Sequence, residues 1–353
     1  MATRRAGWFV AAAAVVFTGC GGGPVAPPPL DAPTITCPSD VAARGLPGGE
    51  GNVTYPPPTA TGGTSPLAVT CTPASGSRFA SGATTVACTA TDARGRQAAC
   101  VFTVTVTAPV LAVTRFIAFG DSITEGENGR LDAPREPFID FPNVYPVRLE
   151  ERLNAEYPGQ GIVVLNRGTS GSPVERSVEK LPAVLTADRG DTLLLLDGYN
   201  NLLAECTPGR ADSPACSRKI ADVVLGVREC VRIGRVAAYG IRYVLVSTLT
   251  PPGPFAGGPR DRRIAADAIV RTNAALSDMV RNEGAILVDT YARFVGHEAE
   301  YVDQDGLHLR PAGYQALADA FFEAIRTQLP ATPGTRVRAA EWRSGPRAGE
   351  AGR

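Results

Sequence analysis

The sequence predicts an α/β fold, a parallel sheet covered by helices on both faces, preceded by a small antiparallel β-sandwich. Its 353 residues leave room for two domains. Residues 33–108 hold short β-prone runs between Gly, Pro and Ser, without a helical period. Residues 113–330 alternate apolar strand-like runs with helical segments, which is typical of a parallel sheet. We therefore expect a β domain followed by an α/β domain.

Composition and charge exclude several classes of function. The chain carries 35 Lys and Arg residues against 35 Asp and Glu residues, so the basic surface of a general nucleic-acid binder is missing. Only two histidines occur, His297 and His308, which are too few for a multi-histidine metal site. We expect no metal, no cofactor and no nucleic-acid partner.

The first 19 residues are typical of an export signal. A basic start with Arg4 and Arg5 precedes an apolar stretch that is shorter than the roughly 20 residues needed to span a bilayer. Phe17-Thr18-Gly19-Cys20 resembles a bacterial lipobox, in which the cysteine becomes the lipidated first residue of the mature chain. We expect a lipoprotein of the bacterial cell envelope, attached to the membrane through Cys20. The alternative is plain secretion with a free Cys20.

Two flanking segments lack the composition of a packed core. Residues 20–32 are rich in Gly and Pro and suit a tether. Residues 331–353 are rich in Arg, Gly and Pro, and we expect a disordered tail there.

The cysteines of the first domain indicate an oxidising compartment. Of the 8 cysteines, four lie within residues 33–108, as expected for a small exported domain held together by disulfides. Without Cys20 the number is odd, so at least one thiol stays unpaired. The last strand-like run, residues 100–107, alternates with period two and puts Phe102, Val104 and Val106 on one face.

The sequence of this domain resembles the hyalin repeat (HYR) family, which has an immunoglobulin-like fold. The matching pieces are Thr36-Cys37-Pro38, Cys71-Thr72-Pro73, Thr84-Thr85-Val86, Cys88-Thr89-Ala90-Thr91-Asp92 and Cys100-Val101-Phe102. Four cysteines allow three pairings, of which we favour Cys37–Cys100 with Cys71–Cys88. The resemblance implies a spacer or an adhesion module, and no residue pattern in the domain indicates catalysis.

Strands and helices alternate along the second domain. The strand-like runs are residues 115–119, 162–165, 192–196, 241–246 and 285–288. Apolar residues recur at helical spacing in two segments, Ile220, Val223, Val227 and Val231, then Tyr314, Leu317, Phe321 and Ile325, the second helix starting near Pro311.

Polar residues follow four of these runs. In chain order they are Gly120-Asp121-Ser122, Asn166-Arg167-Gly168, Asp197-Gly198-Tyr199-Asn200-Asn201 and, after a connection, Asp305-Gly306-Leu307-His308. Sites of open parallel sheets form at the carboxyl ends of the strands, so we expect these residues to meet at one edge. A serine needs an adjacent base, a histidine can be that base, and a carboxylate can orient the imidazole. Glycine and asparagine N–H groups can bind an oxyanion, so the set suits acyl transfer from an ester.

At these positions the chain resembles the SGNH hydrolases, the GDSL-type esterases and lipases, because four motif blocks occur in order. The resemblance implies a three-layer α/β/α sandwich with a five-stranded parallel sheet of flavodoxin-like type. It implies Ser122 as nucleophile, His308 as general base and acid, and Asp305 as its orienting partner. It also implies an oxyanion hole formed by the backbone N–H groups of Ser122 and Gly168 and by the side chain of Asn200.

Several residues near these blocks depart from the pattern or play no part in it. The family usually has aspartate where Asn201 stands, and we expect tuning of activity rather than loss. Cys206 and Cys216 could close a small loop, with Cys230 as the buried odd thiol. That loop and residues 251–258 would border the site. We place His297 on the surface and Ser170 in a loop, and we expect Asp197 to bond local backbone.

The function predicted from the sequence is that of an exported serine esterase. Its partner would be a small or polymer-linked acyl ester, such as an acetylated carbohydrate or a lysolipid. The alternative is a surface adhesion or carbohydrate-binding protein whose hydrolase scaffold is catalytically silent.

Overall fold

A computed structural model describes residues 32–45, 49–129, 141–254 and 261–333. The predicted signal peptide, Cys20, residues 20–31 of the tether and residues 334–353 of the tail lie outside the described residues. The described chain forms two compact units. One holds the residues up to Ser39 together with Tyr55–Ser75 and Thr85–Thr103, and the other holds Asp40–Thr54, Gly76–Thr84 and the residues from Val104 onward.

The N-terminal region consists of short strands. They are β1 (Thr34–Thr36), β2 (Val41–Arg44), β3 (Glu50–Asn52), β4 (Thr59–Thr61), β5 (Ala68–Thr72), β6 (Arg78–Ala80), β7 (Gly82–Thr91), β8 (Gln97–Thr107) and β9 (Pro109–Leu111). As the alternation of β8 predicts, Phe102, Val104 and Val106 are all buried. The region fits the small β domain expected from the sequence.

The first unit is held together by two disulfides and a buried ion pair. The disulfides are Cys37–Cys100 and Cys71–Cys88, the pairing favoured from the sequence, and the second joins opposite residues of the antiparallel β5–β7 pair. Strands β1 and β4 also pair antiparallel. Buried Asp92 accepts backbone N–H groups across its turn and pairs with the Arg96 guanidinium at 2.7 Å. The backbone hydrogen bond from Thr64 and those around Arg96 hold the pKa of Asp92 well below its usual range.

In the second unit, β3 and β6 pair antiparallel, whereas β2 pairs parallel with the end of β8, Val41 lying opposite Val104. The sequence predicts a small antiparallel β-sandwich, and the β2–β8 pair departs from the antiparallel direction within it. Its physical reason is the long connection between the two strands. No tight turn joins them, and a parallel direction is therefore open to the chain.

The remainder of the second unit alternates strands and helices. Its strands are β10 (Arg115–Gly120), β11 (Val163–Gly168), β12 (Thr192–Leu196), β13 (Tyr243–Ser247), β14 (Ile286–Val288) and β15 (Ala331–Pro333). Its helices are α1 (Ser122–Glu125), α2 (Tyr145–Glu156), α3 (Val174–Asp188), α4 (Tyr199–Leu202), α5 (Pro214–Gly234), α6 (Ala266–Glu283), α7 (Thr290–Phe294), α8 (Glu298–Tyr301) and α9 (Pro311–Gln328), with 3₁₀ turns at Phe141–Asn143 and Ala237–Tyr239. No helix within the described ranges is long and apolar enough to cross a membrane.

Five strands form one parallel sheet in the order β11-β10-β12-β13-β14. Every residue of β12 is buried, because a central strand of a doubly covered sheet contacts core on both faces. Helix α5 packs against both α3 and α6, and α2 packs against α9. These two sets are the outer layers, so the three-layer α/β/α fold predicted from the sequence is confirmed.

The register of the sheet brings the expected site residues to one edge. Gly120 at the end of β10 lies opposite Gly168 of β11 on one side and Leu196 of β12 on the other. The polar segments that follow β10 and β12 therefore begin side by side with the end of β11.

The end of the α/β domain differs from the expectation. Residues 331–333, which the sequence analysis assigns to the tail, form β15 and pair antiparallel with β9. A three-residue strand is too short to show an alternation in the sequence, which explains the difference.

Candidate active site

Ser122 is the first residue of α1, two residues after the end of β10, where the chain passes close to β12. Gly120 has φ of 157°, and a Cβ at this position would lie 1.8 Å from the carbonyl oxygen of Leu196, so only glycine fits between the paired strands. Asp121 caps α1 by accepting the N–H of Ile123 at 3.1 Å. The cap fixes the first turn of α1, and Ser122 is only 3% exposed.

His308 joins Ser122 to Asp305 in one line of hydrogen bonds. Its Nε2 lies 2.9 Å from the Ser122 Oγ, and its Nδ1 lies 2.5 Å from Oδ2 of Asp305. The His308 residue is 1% exposed, so these contacts are shielded from bulk water. In the tautomer whose Nδ1–H donates to the carboxylate, Nε2 carries no proton and faces the serine hydroxyl as an acceptor.

The backbone around Asp305 fixes the carboxylate in place. Its Oδ1 accepts the N–H groups of Leu307 and His308, each at 3.0 Å. Burial by itself raises the pKa of Asp305, but the hydrogen bond and positive charge of His308 and these two N–H groups outweigh it, and the pKa falls below its usual value. Asp305 is therefore ionised at neutral pH, as an orienting partner for imidazole must be.

A second carboxylate, not among the residues singled out from the sequence, faces Nε2, the imidazole nitrogen that bonds Ser122. Oε2 of Glu127 lies 3.5 Å from His308 Nε2, and its side chain is 13% exposed. The backbone of Glu127 is held at both ends, its N–H donating to the Ser122 carbonyl at 3.0 Å and its carbonyl accepting the Tyr314 hydroxyl at 2.5 Å. No spacing rule in the sequence marks Glu127; its only signal is its closeness to Ser122 along the chain.

Gly168 packs against the end of α1. A Cβ there would lie 2.0 Å from the backbone nitrogen of Glu125, so this approach of β11 to α1 requires glycine. The Gly168 N–H, expected to face an oxyanion, donates to Oδ1 of Asn166 at 3.0 Å. Asn166 also donates to the Glu125 carbonyl at 3.1 Å, so this amide ties the strand to α1.

Asn200 lies in α4, directly after the end of β12. Gly198 precedes the helix with φ of 120°, and a Cβ on it would lie 2.5 Å from Val223 Cγ1. One N–H of the Asn200 side chain donates to the Ser172 carbonyl at 3.1 Å. A side-chain amide carries two N–H groups, so a second donor remains for a ligand.

Asn201 makes two kinds of hydrogen bond, and an aspartate could make only the first of them. Its Oδ1 accepts the N–H of Val174 at 2.9 Å, at the start of α3. Its amide nitrogen donates to both carboxylate oxygens of Glu175, at 3.0 and 2.9 Å. An aspartate could accept the first bond only and would repel Glu175. The departure from the family pattern at Asn201 is thus matched by a partner in α3.

Two buried acids, Asp121 and Asp197, lie next to the segments that carry Ser122 and Asn200. Asp197 accepts the N–H of Gly198 at 2.7 Å and the hydroxyl of Ser177, so it bonds local groups as expected. Burial raises the pKa of Asp197 despite these bonds. The pKa of Asp121 is raised far above its usual value by burial first and by the charge of Asp197 second.

The remaining residues singled out from the sequence lie away from this line of hydrogen bonds. Cys206 and Cys216 form a disulfide, and Cys230 is a buried free thiol in α5. Burial raises the pKa of Cys230 well above its usual range, which makes the thiol unreactive. His297 is exposed and pairs with Glu300 at 3.4 Å. Ser170 lies in a turn after β11. Residues 255–258 of the segment expected to border the site lie outside the described residues.

A serine hydroxyl bonded to a buried histidine at the strand ends of an α/β/α sandwich defines the class of serine hydrolases. Residues 118–316 match the model of the GDSL-like lipase/acylhydrolase family. Because this match covers more than half of the chain, the chain belongs to that family and is a serine esterase. Residues 30–106 match the HYR domain, so the resemblances to the SGNH hydrolases and to the HYR family are confirmed.

Solved structures of esterases are similar to this chain at low identity. A carbohydrate acetylesterase from Sinorhizobium meliloti is 15% identical, covering 60% of this chain and 98% of its own, with a TM-score of 0.47. An aryl esterase from M. smegmatis is 21% identical, covering 61% and 100%, with a TM-score of 0.47. A lipase/acylhydrolase from Enterococcus faecalis is 19% identical, covering 63% and 99%, with a TM-score of 0.47. Among curated proteins, none matches the chain.

The disulfides and the HYR domain indicate an extracellular protein.

Proposed function

We propose that the protein cleaves carboxylic esters with Ser122 as nucleophile, His308 as general base and acid, and Asp305 as the partner that orients the imidazole. The observation that carries this proposal is the unbroken line of hydrogen bonds from Ser122 Oγ through the His308 ring to Asp305. Family membership supplies the class of reaction, ester hydrolysis.

The reaction proceeds in two halves. Ser122 Oγ attacks the ester carbonyl carbon while His308 Nε2 takes the hydroxyl proton, and a tetrahedral oxyanion forms. The intermediate collapses, the alcohol oxygen leaves with the proton from Nε2, and the acyl group stays on Ser122. Water then attacks the acyl-enzyme with His308 again as base, and the acid and free Ser122 are released. Asp305 stabilises the imidazolium in both halves.

The oxyanion is bound by the backbone N–H groups of Ser122 and Gly168 and by the Asn200 amide. Each such donor is worth roughly 3–4 kcal/mol in comparable sites. In the free protein the Gly168 N–H already donates to Asn166, so the oxyanion shares this donor with Asn166 or displaces it. The second N–H of the Asn200 side chain needs no such exchange.

The esterase acts outside the cytoplasm, anchored to a bacterial membrane through lipidated Cys20. The lipobox-like Phe17-Thr18-Gly19-Cys20 and the Gly/Pro-rich residues after it support this placement. The HYR domain then separates the enzyme from the membrane surface. The substrate is an acyl ester of small or polymer-linked type, with acetylated carbohydrate and lysolipid as the two classes to be compared.

Turnover of graded esters by the purified protein tests the proposal. We expect hydrolysis of 4-nitrophenyl acetate that disappears in Ser122→Ala, with activity declining as the acyl chain lengthens from acetyl to palmitoyl. Acetylated xylan, acetylated pectin and a lysophospholipid in the same panel separate the two substrate classes. Absence of Ser122-dependent turnover on every ester would contradict the proposal and favour the silent scaffold of a carbohydrate-binding protein.

A further inference from the structure

Glu127 places a negative charge beside the nitrogen that exchanges the reaction's proton. Its Oε2 lies 3.5 Å from His308 Nε2. Within the described part of the chain, His308 is the only group that forms an ion pair with Glu127. The carboxylate is therefore not neutralised by a neighbouring cation among these residues.

Backbone contacts hold Glu127 independently of its side chain. The N–H of Glu127 donates to Ser122, and its carbonyl accepts the buried Tyr314 hydroxyl. Burial and the nearby charge of Glu127 raise the pKa of Tyr314, so this hydroxyl keeps its proton and continues to donate. The carboxylate is thus carried on a fixed segment, while its 13% exposure leaves it accessible to a ligand.

The chemistry of the proposed reaction decides which part of a substrate meets this charge. The departing alcohol oxygen takes its proton from His308 Nε2 and must therefore lie about 3 Å from it. Because Glu127 Oε2 is itself 3.5 Å from Nε2, a leaving alcohol that bonds Nε2 lies close to this carboxylate. A hydroxyl one carbon beyond the carbon that bears the ester oxygen is within reach of this carboxylate, which accepts hydrogen bonds strongly.

We propose that Glu127 is a specificity-determining residue that selects esters of neutral, hydroxyl-bearing alcohols and disfavours esters of anionic alcohols. A substrate hydroxyl donates to the carboxylate and gains a charge-assisted hydrogen bond. A carboxylate or phosphate at the same place is repelled, because like charges at short range in a shielded site cost several times more than they do in water. The inference rests on the proposed function, since it assumes that His308 Nε2 protonates the leaving group.

Three acetate esters with matched three-carbon alcohols test the proposal: 1-acetylglycerol with hydroxyls, propyl acetate without them, and 3-acetoxypropanoate with a negative charge. The value of kcat/KM is measured for each with the wild type and with Glu127→Gln. In the wild type we expect 1-acetylglycerol to be preferred over propyl acetate and 3-acetoxypropanoate to be the poorest. In Glu127→Gln we expect the kcat/KM for 3-acetoxypropanoate, divided by that for propyl acetate, to rise about tenfold. The kcat/KM for 1-acetylglycerol, divided by that for propyl acetate, should fall several-fold.

Two further variants make the result interpretable. Glu179→Gln removes the same charge from an exposed position of α3 and should leave all ratios unchanged. Glu127→Ala repeats the test with the side chain removed. Ratios that stay within twofold of wild type in both Glu127 variants, or equal loss on all three esters, would overturn the inference.

Failure of the proposed function has a different signature. If the wild type shows no Ser122-dependent turnover of 4-nitrophenyl acetate, the proposed function is contradicted, and the inference about Glu127 with it. If turnover depends on Ser122 but the kcat/KM ratios do not change in the Glu127 variants, only the inference about Glu127 is contradicted.

Discussion

Ser122 and His308 are 186 residues apart in the chain, yet the Oγ of one lies 2.9 Å from the Nε2 of the other. Two features of the fold bring them together. The parallel sheet ends β10 at the edge where α1 begins, and the segment before α9 returns His308 to that edge. A hydroxyl and an imidazole at this distance are placed for the proton transfer that the proposed function requires.

Replacing Asp305 tests the orientation of the imidazole. Asp305→Asn preserves the size of the side chain and can keep the two backbone bonds to Oδ1. Its amide would donate to His308 Nδ1 and leave the proton on Nε2, where it blocks proton transfer from Ser122. We expect kcat to fall by about 10⁴-fold, as in other serine hydrolases. Ester assays with matched thermal unfolding curves check this, and near-normal kcat would contradict the orienting role.

Replacing Asn200 tests the oxyanion donor. Asn200→Ala removes the side-chain amide and leaves Ser122 and His308 unchanged. We expect kcat to fall roughly 10²–10³-fold with little change in KM, because the donor acts on charge that develops only in the transition state. Steady-state kinetics on 4-nitrophenyl acetate separate the two constants. A rise in KM at unchanged kcat would show instead that Asn200 binds the ground state.

The pair of Asn201 and Glu175 predicts that aspartate is tolerated poorly here. Asn201→Asp replaces a donor with a carboxylate against Glu175, and we expect the free energy of unfolding to fall by about 1 kcal/mol, since Glu175 is exposed to solvent. Glu175→Gln in the same chain should recover most of this loss. Urea unfolding of the two single variants and the double variant gives the coupling energy. Additive effects would contradict the contact, and we expect ester turnover to persist in all three.

The buried Asp197 predicts a dependence of stability on pH. Its pKa is raised above the ordinary value of 3.8, mainly by burial. Above pH 3.8 the unfolded chain releases this proton while the folded protein retains it, so stability falls as pH rises until the folded pKa is passed. Asp197→Asn removes this loss, and we expect its stability relative to wild type to grow with pH, by at most about 1.4 kcal/mol per pH unit.

Urea unfolding between pH 4 and pH 8.5 checks the Asp197 prediction. The control is Asp278→Asn, which alters an acid whose side chain is 70% exposed and should show no such trend. A difference between wild type and Asp197→Asn that is the same at every pH would mean that burial does not hold the proton on this carboxyl.

The parallel sheet was predictable because its strands have a strong compositional signal. The run of four leucines from Leu193 to Leu196 is apolar throughout, and such runs between helical segments indicate strands covered on both faces. The edge where site residues meet followed from the same pattern, since parallel strands all end at one side of a sheet. The three-residue spacing of Asp305 and His308 marked them as a pair before any contact was known.

The contacts that the sequence did not predict are set by side-chain direction and by local hydrogen bonds. Glu127 faces His308 because two backbone bonds orient its segment, and no periodic pattern reports such a bond. The Gly168 N–H donates to Asn166 two residues earlier, a local competition between side chain and backbone that spacing cannot reveal. These features depend on the folded geometry of α1 and β11.

Labelling with a fluorophosphonate probe tests the central claim, that Ser122 is activated by His308. We expect the wild type to be labelled at Ser122, as located by peptide mass spectrometry, with no labelling in Ser122→Ala and a labelling rate lowered by several powers of ten in His308→Ala. Equal labelling of the wild type and Ser122→Ala would contradict the account.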